Sequence, residues 1–152
     1  MGVVNLKVAP MSAAGITQSL QRTIDRTHNL YPLMADIGQY MVRSTQNRIL
    51  REKKSPKGDR WAELAQSTID SKGHSSILFL TGDLAKGISV EDVSNTNVTI
   101  RSDSEYGSFH QKGWKHHGRP GRTKRVPARP FLGVSEENKR RIKKMLRDYL
   151  QR

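Results

Sequence analysis

Ile88-Ser89-Val90-Glu91-Asp92-Val93, then Ser94-Asn95-Thr96-Asn97, then Val98-Thr99-Ile100, is the stretch that decides the fold. Ile88, Val90 and Val93 alternate with polar residues, as do Val98 and Ile100, and this is the period of a strand with one face buried. The polar Asn95-Thr96-Asn97 between them suits a turn, so residues 87–102 read as a β-hairpin. Val3, Val4, Leu6 and Val8 give a further short strand that Pro10 ends. Ile77-Leu78-Phe79-Leu80 is a short apolar run that fits a buried strand, closed by Thr81-Gly82-Asp83.

The segments around these strands have a helical period. Ile16, Leu20 and Ile24 recur every four residues from a start near Ser12. Asn29 to Pro32 interrupts the pattern, and Pro32 suits a first helical turn. Leu33, Met34, Ile37, Tyr40, Met41 and Ile49 then mark the longest helix and the spine of the core. Arg43, Arg48 and Arg51 are expected on its solvated side. Residues 51–60 are basic and turn-rich, with Pro56 and Gly58 reversing the chain and Trp61 plugging the turn onto the core. A short helix is expected over Ala62–Ser67, and a helical turn at Tyr106–His110 with Tyr106 and Phe109 buried on one side. Ser135 caps a C-terminal helix whose stripe is Ile142, Met145, Leu146, Tyr149 and Leu150, with Glu136 and Glu137 at its positive end. The fold class is α+β: helices packed on one small, mostly antiparallel sheet. A length of 152 residues fits a single domain, 1–152.

The charge is lopsided, with 27 Lys plus Arg against 14 Asp plus Glu, a net +13. So basic a chain attracts nucleic acid, acidic protein surfaces or anionic lipid. Hydrophobic residues are only 34%, so the core is modest for the length and stability can rest partly on neighbouring subunits. The excess charge concentrates in residues 112–129, which hold Lys112, Lys115, Arg119, Arg122, Lys124, Arg125 and Arg129 around Trp114 and no Asp or Glu. Gly113, Gly118, Pro120 and Gly121 discourage regular structure there, so a flexible basic arm is expected. Between Pro127 and Pro130, Arg129 is expected to face a partner carboxylate from a stiff, extended backbone. Phe109, Pro130, Phe131 and Leu132 are expected to anchor the two ends of the arm inward, as Trp61 anchors the preceding turn.

Chemistry is harder to find. Without cysteine there is no disulfide, thiol nucleophile or Cys-containing zinc site, which fits a reducing cytoplasm. Asn5, Lys7, Pro10 and Ser12 interrupt any secretory apolar segment, and no apolar run approaches the ~20 residues that span a bilayer. The chain is expected to be soluble, intracellular when made, and not membrane-bound. His110, His116 and His117 lack an acidic companion in the arm, and adjacent histidines do not readily face one ion, so no metal is expected. Asp83, Asp103 and Asp92 sit in turn, loop and strand-end contexts where carboxylates are ordinarily solvated. No phosphate-binding loop, nucleophile elbow or dinucleotide fingerprint is present. The expectation is a non-enzyme without cofactors.

Five blocks stand in order along the chain. They are Ser55-Pro56-Lys57-Gly58-Asp59-Arg60-Trp61; Leu64 with Thr68; Leu80-Thr81-Gly82-Asp83-Leu84; Phe109-His110-Gln111-Lys112-Gly113; and Val126-Pro127-Ala128-Arg129-Pro130-Phe131-Leu132-Gly133. From about Leu30 onward, this order resembles the phage virion morphogenesis proteins, the Mu G-like tail completion group. The resemblance implies a structural protein of the phage neck, made in the host cytoplasm and ending in the virion. It would complete the tail or join it to the head, with neck, connector and tail-tube proteins as partners. Repeated heterologous contacts between identical subunits would close a homo-oligomeric ring, six-fold to match the tail tube. The strongly basic Gly113–Arg129 segment departs from what the resemblance explains. It leaves open whether the arm meets protein or packaged DNA, and it keeps a nucleic-acid-binding accessory protein as the alternative function.

Overall fold

A computed structural model of the chain describes residues 4–8, 29–117 and 123–150. The first expected helix, with Ile16, Leu20 and Ile24, lies outside the described residues, as do Arg119 and Arg122. The fold is α+β.

The hairpin forms where the alternation places it, as β2 (Ile88–Val93) and β3 (Val98–Ser102), joined by a turn in which Ser94 N–H donates to the Asn97 carbonyl at 2.8 Å. β1 (Val4–Val8) adds to the other side of β3, so the sheet order is β1-β3-β2 and both pairings are antiparallel. Central position explains why Val98, Ile100 and Ser102 of β3 have no exposure. Val90 pairs with Ile100 but Asp92 with Thr99, so a bulge at Glu91 breaks the alternation within β2.

Helix α1 (Tyr31–Asn47) begins with Pro32 in its first turn and crosses β2 and β3. Its apolar stripe, Leu33, Met34, Ile37 and Met41, is buried against the sheet. Gly38 sets the approach: a Cβ there would lie 2.8 Å from Val98 Cγ2 and 3.0 Å from Val90 Cγ2. α1 runs on into a π-helical turn, Arg48–Glu52, which Lys53 ends in a left-handed conformation at φ 55°. Arg48 follows Met41 and Thr45 at helical spacing (i+7 and i+3), so it lies on the buried face of the helix and not with Arg43 and Arg51. Arg48 is only 2% exposed, whereas Arg43 and Arg51 are solvated.

The 62–80 region departs most from expectation. Residues 62–65 are not helical; helix α2 starts at Gln66 and ends at Lys72. No strand forms at Ile77–Leu80. Ile77 and Leu78 are buried, but Leu78 takes φ 52° and Leu80 is 65% exposed. A left-handed residue in mid-run cannot continue a strand. A short helix, α3 (Asp83–Lys86), follows the Thr81-Gly82-Asp83 turn.

Helix α4 (Gly107–Lys112) stands at the expected turn, but Tyr106 and Phe109 are 66% and 50% exposed and do not bury together. The expected arm is not irregular throughout. β4 (Trp114–His117) and β5 (Thr123–Val126) pair antiparallel in a two-stranded ribbon, a sheet of its own. Helix α5 (Glu136–Leu150) closes the core through Ile142 and packs on α1. Its start is a reciprocal cap: Asn138 N–H donates to Ser135 Oγ at 3.1 Å, and Ser135 N–H donates to Asn138 Oδ1 at 3.0 Å.

Candidate functional site

The residues between the ribbon and α5 carry the most unusual local structure. Pro130–Gly133 has no regular hydrogen-bonding pattern, yet Phe131 and Leu132 are buried. Buried backbone groups need partners. Side chains from three distant segments supply them. Trp61 Nε1 donates to the Pro130 carbonyl at 2.9 Å. Gln111 Oε1 accepts from the N–H of Phe131 and of Leu132, at 3.0 and 3.1 Å, while Gln111 Nε2 donates to the Leu132 carbonyl at 2.9 Å. Arg48 Nη1 donates to the carbonyls of Phe131 at 2.7 Å and Gly133 at 3.3 Å, and Arg48 Nη2 to Asn138 Oδ1 at 3.0 Å. The Asn138 amide donates in turn to Tyr40 Oη and Ser44 Oγ. Sequence reading singled out Trp61, Pro130, Phe131 and Leu132 but missed Gln111 and Arg48, whose partners lie 20 or more residues away.

Arg129 corrects the sequence reading. It does not face outward: it is 4% exposed, its Nε donates to the Ala62 carbonyl and its Nη2 to the Glu63 carbonyl, each at 3.0 Å. The reason lies in the helix that does not form at 62–65, which leaves two consecutive carbonyls free for the planar guanidinium fork. Arg129 N–H also donates to the His110 carbonyl at 2.7 Å, fixing β5's exit against α4. Burial lowers the Arg129 pKa below the ordinary arginine value, and nearby Glu63 opposes that shift. Phe109 is also no inward anchor. Its half-exposed ring meets Trp114 edge-on at 5.9 Å, and His110 meets the same indole at 5.4 Å.

The ribbon leaves this clamp as a cationic blade. Lys112, Lys115, Lys124 and Arg125 are exposed and Trp114 is half-buried at the base. The register sets Lys115 directly opposite Arg125. Like charges across a strand pair repel, so an anionic surface laid on the blade relieves a cost intrinsic to it. The β4 entry turns on Gly113, at φ 73° and ψ 165°, a region essentially reserved for glycine. A Cβ there would lie 2.7 Å from Ala128 N and 2.8 Å from the Val126 carbonyl. Gly113→Ala is therefore expected to destabilise the protein by about 1–3 kcal/mol. Denaturant unfolding checks the size, and faster proteolysis within the ribbon checks the place.

His110 adds a pH dependence. Burial, then Arg129, then Lys72, lower its pKa from 6.5. Above pH 6.5 neither folded nor unfolded chain protonates it, and the stabilisation is complete. As pH falls below 6.5 the unfolded chain takes up the proton first, so stability falls through the depressed folded value. His110→Gln is expected to flatten part of that acid slope in urea midpoints measured across the window.

Among the described residues no three His, Asp or Glu gather into a metal-holding group, and no helix is long and apolar enough to cross a membrane. No curated protein and no solved structure matches the chain. The blocks that surround this clamp, from the Pro56 turn through Trp61 to Pro130–Gly133, lie within residues 11–151, which match the phage virion morphogenesis family, and to that family the chain belongs.

Proposed function

We propose that this protein is a structural component of the phage neck that completes the tail, or joins it to the head, by forming a homo-oligomeric ring at the tail's head-proximal end. Family membership carries a role in virion morphogenesis, with other virion proteins as partners. The observation that favours an assembly role is the cationic ribbon, clamped at its base by Gly113 and Arg129 and repelling itself across the strands. Repeated docking of that ribbon on an acidic patch of the next subunit is a heterologous contact, which closes into a ring when its rotation allows, six-fold in our reading. The mechanism is capping and docking without bond chemistry, in host cytoplasm first and in the virion finally.

Light scattering behind size exclusion, on nuclease-treated protein at low and moderate salt, tests this. A discrete oligomer that survives moderate salt and is lost in Lys115→Glu/Arg125→Glu is the expected result. A monomer under all conditions, and in the presence of purified tails, would overturn the ring. The second reading, a nucleic-acid-binding accessory protein, draws on the Trp114 and Phe109 rings beside Lys124 and Arg125. It requires binding by the monomer, with affinity falling steeply with salt as several phosphate contacts release counterions.

A further inference from the structure

Residues 139–147 of α5 hold Lys139, Arg140, Arg141, Lys143, Lys144 and Arg147 and no carboxylate. The carboxylates of this helix stand at its ends, Glu136 and Glu137 before the run and Asp148 after it. Lys139 pairs with Glu136 at 2.6 Å and Lys144 with Asp148 at 2.7 Å. Hydrogen bonds from these two lysines hold Glu136 and Asp148 below the ordinary carboxylate range, with Arg140 and Lys143 adding to the first effect and Arg141 and Arg147 to the second. Two carboxylates are therefore shared among six cations. Among the described residues Arg140, Arg141, Lys143 and Arg147 take part in no ion pair. The helix that α5 packs on gives them none: Asp36, the carboxylate of α1, is in no ion pair, and Glu52 beyond it accepts from Asn47. Arg140, Lys143 and Arg147 recur at i, i+3 and i+7, so they project from one exposed side, opposite the buried Asn138 and Ile142. Like charges at that spacing repel and weaken a helix.

We propose that this outer face of α5 is a contact surface for the phosphate backbone of duplex nucleic acid. Duplex DNA presents a charge about every 1.7 Å of its axis, so cations one helical turn apart, ~5.4 Å, each meet a phosphate without a matched pattern. A basic stripe along a helix is the footprint of such binding. Protein interfaces have an apolar and aromatic centre and are depleted in lysine. This face has no such centre: Ile142 is buried, Met145, Leu146 and Tyr149 pack against the core, and the exposed Leu150 stands at the helix's last position. A second copy would have to supply carboxylates for this face as well as for the ribbon, from a chain with 14 Asp plus Glu against 27 Lys plus Arg. A membrane-surface helix must insert its apolar stripe, and here that stripe is already packed. Single strands need an aromatic platform for stacking; the only aromatic residue of α5, Tyr149, is partly buried and its hydroxyl donates to the Asn29 carbonyl at 2.7 Å. The surface is separate from the ribbon and holds whether the chain acts alone or in a ring.

The test follows the anisotropy of a labelled 20-base-pair duplex titrated with full-length, nuclease-treated protein at several salt concentrations. Each phosphate contact contributes about 0.9 to the slope of log affinity against log salt. Arg140→Gln/Lys143→Gln/Arg147→Gln is expected to reduce that slope by about 2–3 and to weaken binding at least tenfold at the lowest salt. Arg140→Lys/Arg147→Lys keeps the charges and is expected to keep most of the affinity. Lys115→Gln/Lys124→Gln/Arg125→Gln in the ribbon is expected to change the slope less than the α5 triple variant does. In the parent protein, which needs no substitution to fold, the duplex is expected to protect Lys143 from acetylation. The proposal is overturned by an unchanged slope in the α5 triple variant, by loss of binding in the ribbon variant alone, or by an unprotected Lys143. Tighter binding of poly-glutamate, or of vesicles containing anionic lipid, lost in the same α5 variant, would overturn duplex nucleic acid as the partner and assign the face to an acidic protein or a membrane surface.

Discussion

Arg48→Met is expected to lower stability by about 3–5 kcal/mol, the range for removing one partner from a buried charged network. Methionine fills much of the space but donates nothing. The carbonyls of Phe131 and Gly133 lose their side-chain donor at once, and Asn138 Oδ1 keeps only the Ser135 N–H. Each unsatisfied buried acceptor costs about 1–3 kcal/mol, with relaxation absorbing part of the sum. Asn138 also belongs to the cap of α5, so the loss spreads from the Pro130–Gly133 segment to the start of that helix. Burial lowers the arginine pKa, and Glu52, Tyr40 and Glu137 act in the opposite direction from a distance. The side chain is therefore a charge held by neutral oxygens. Arg48→Lys keeps the charge and loses the fork, and should fall between parent and methionine variant. Thermal and urea unfolding of the three proteins checks the order. A methionine variant as stable as the parent would show that the carbonyls find other donors.

Trp61→Ala is the second large effect, also about 3–5 kcal/mol, as for other buried aromatic truncations. Trp61 is 5% exposed and joins the 51–60 turn to the core. Trp61→Phe separates its two roles: it keeps most of the ring and removes the donor to the Pro130 carbonyl, for about 1–3 kcal/mol. Because Trp61 and Arg48 grip consecutive carbonyls of one segment, Trp61→Phe and Arg48→Met should be non-additive. A double-mutant cycle should give a coupling of about 0.5–3 kcal/mol. Additivity within ~0.5 kcal/mol would mean that the segment does not move as a unit.

The elements that could be read in advance are those whose signal is local. The 87–102 hairpin, the helix from Tyr31 with Pro32 in its first turn, and the Ser135 cap each follow from periodicity or from one side chain bonding its own neighbours. The misreadings share the opposite cause. Ile77–Leu80 is apolar enough for a strand, but burial needed only Ile77 and Leu78, and the left-handed Leu78 sends Leu80 to the surface. Tyr106 and Phe109 have helical spacing, but both are exposed to solvent rather than packed on the core. In the arm, glycines and charge argued against order, whereas the Trp114–Val126 pairing at its base gives it a register.

From its sequence alone this protein is legible as an α+β chain, strongly basic, with its positive charge gathered between two anchored blocks, and as a relative of phage morphogenesis proteins. Hydrophobic period, capping chemistry and residue type determine these things within windows of a few residues. Only the tertiary structure decided which arginines are solvated. Arg48 and Arg129 resemble Arg51 and Arg125 in the sequence, yet the first pair is buried on backbone carbonyls and the second is exposed. The difference lies in the acceptors: carbonyls left free at 62–63 and 131–133 by irregular backbone, far along the chain, brought within 3.3 Å by the fold. A buried charge is set by what the fold leaves unpaired around it, and no local window contains that information.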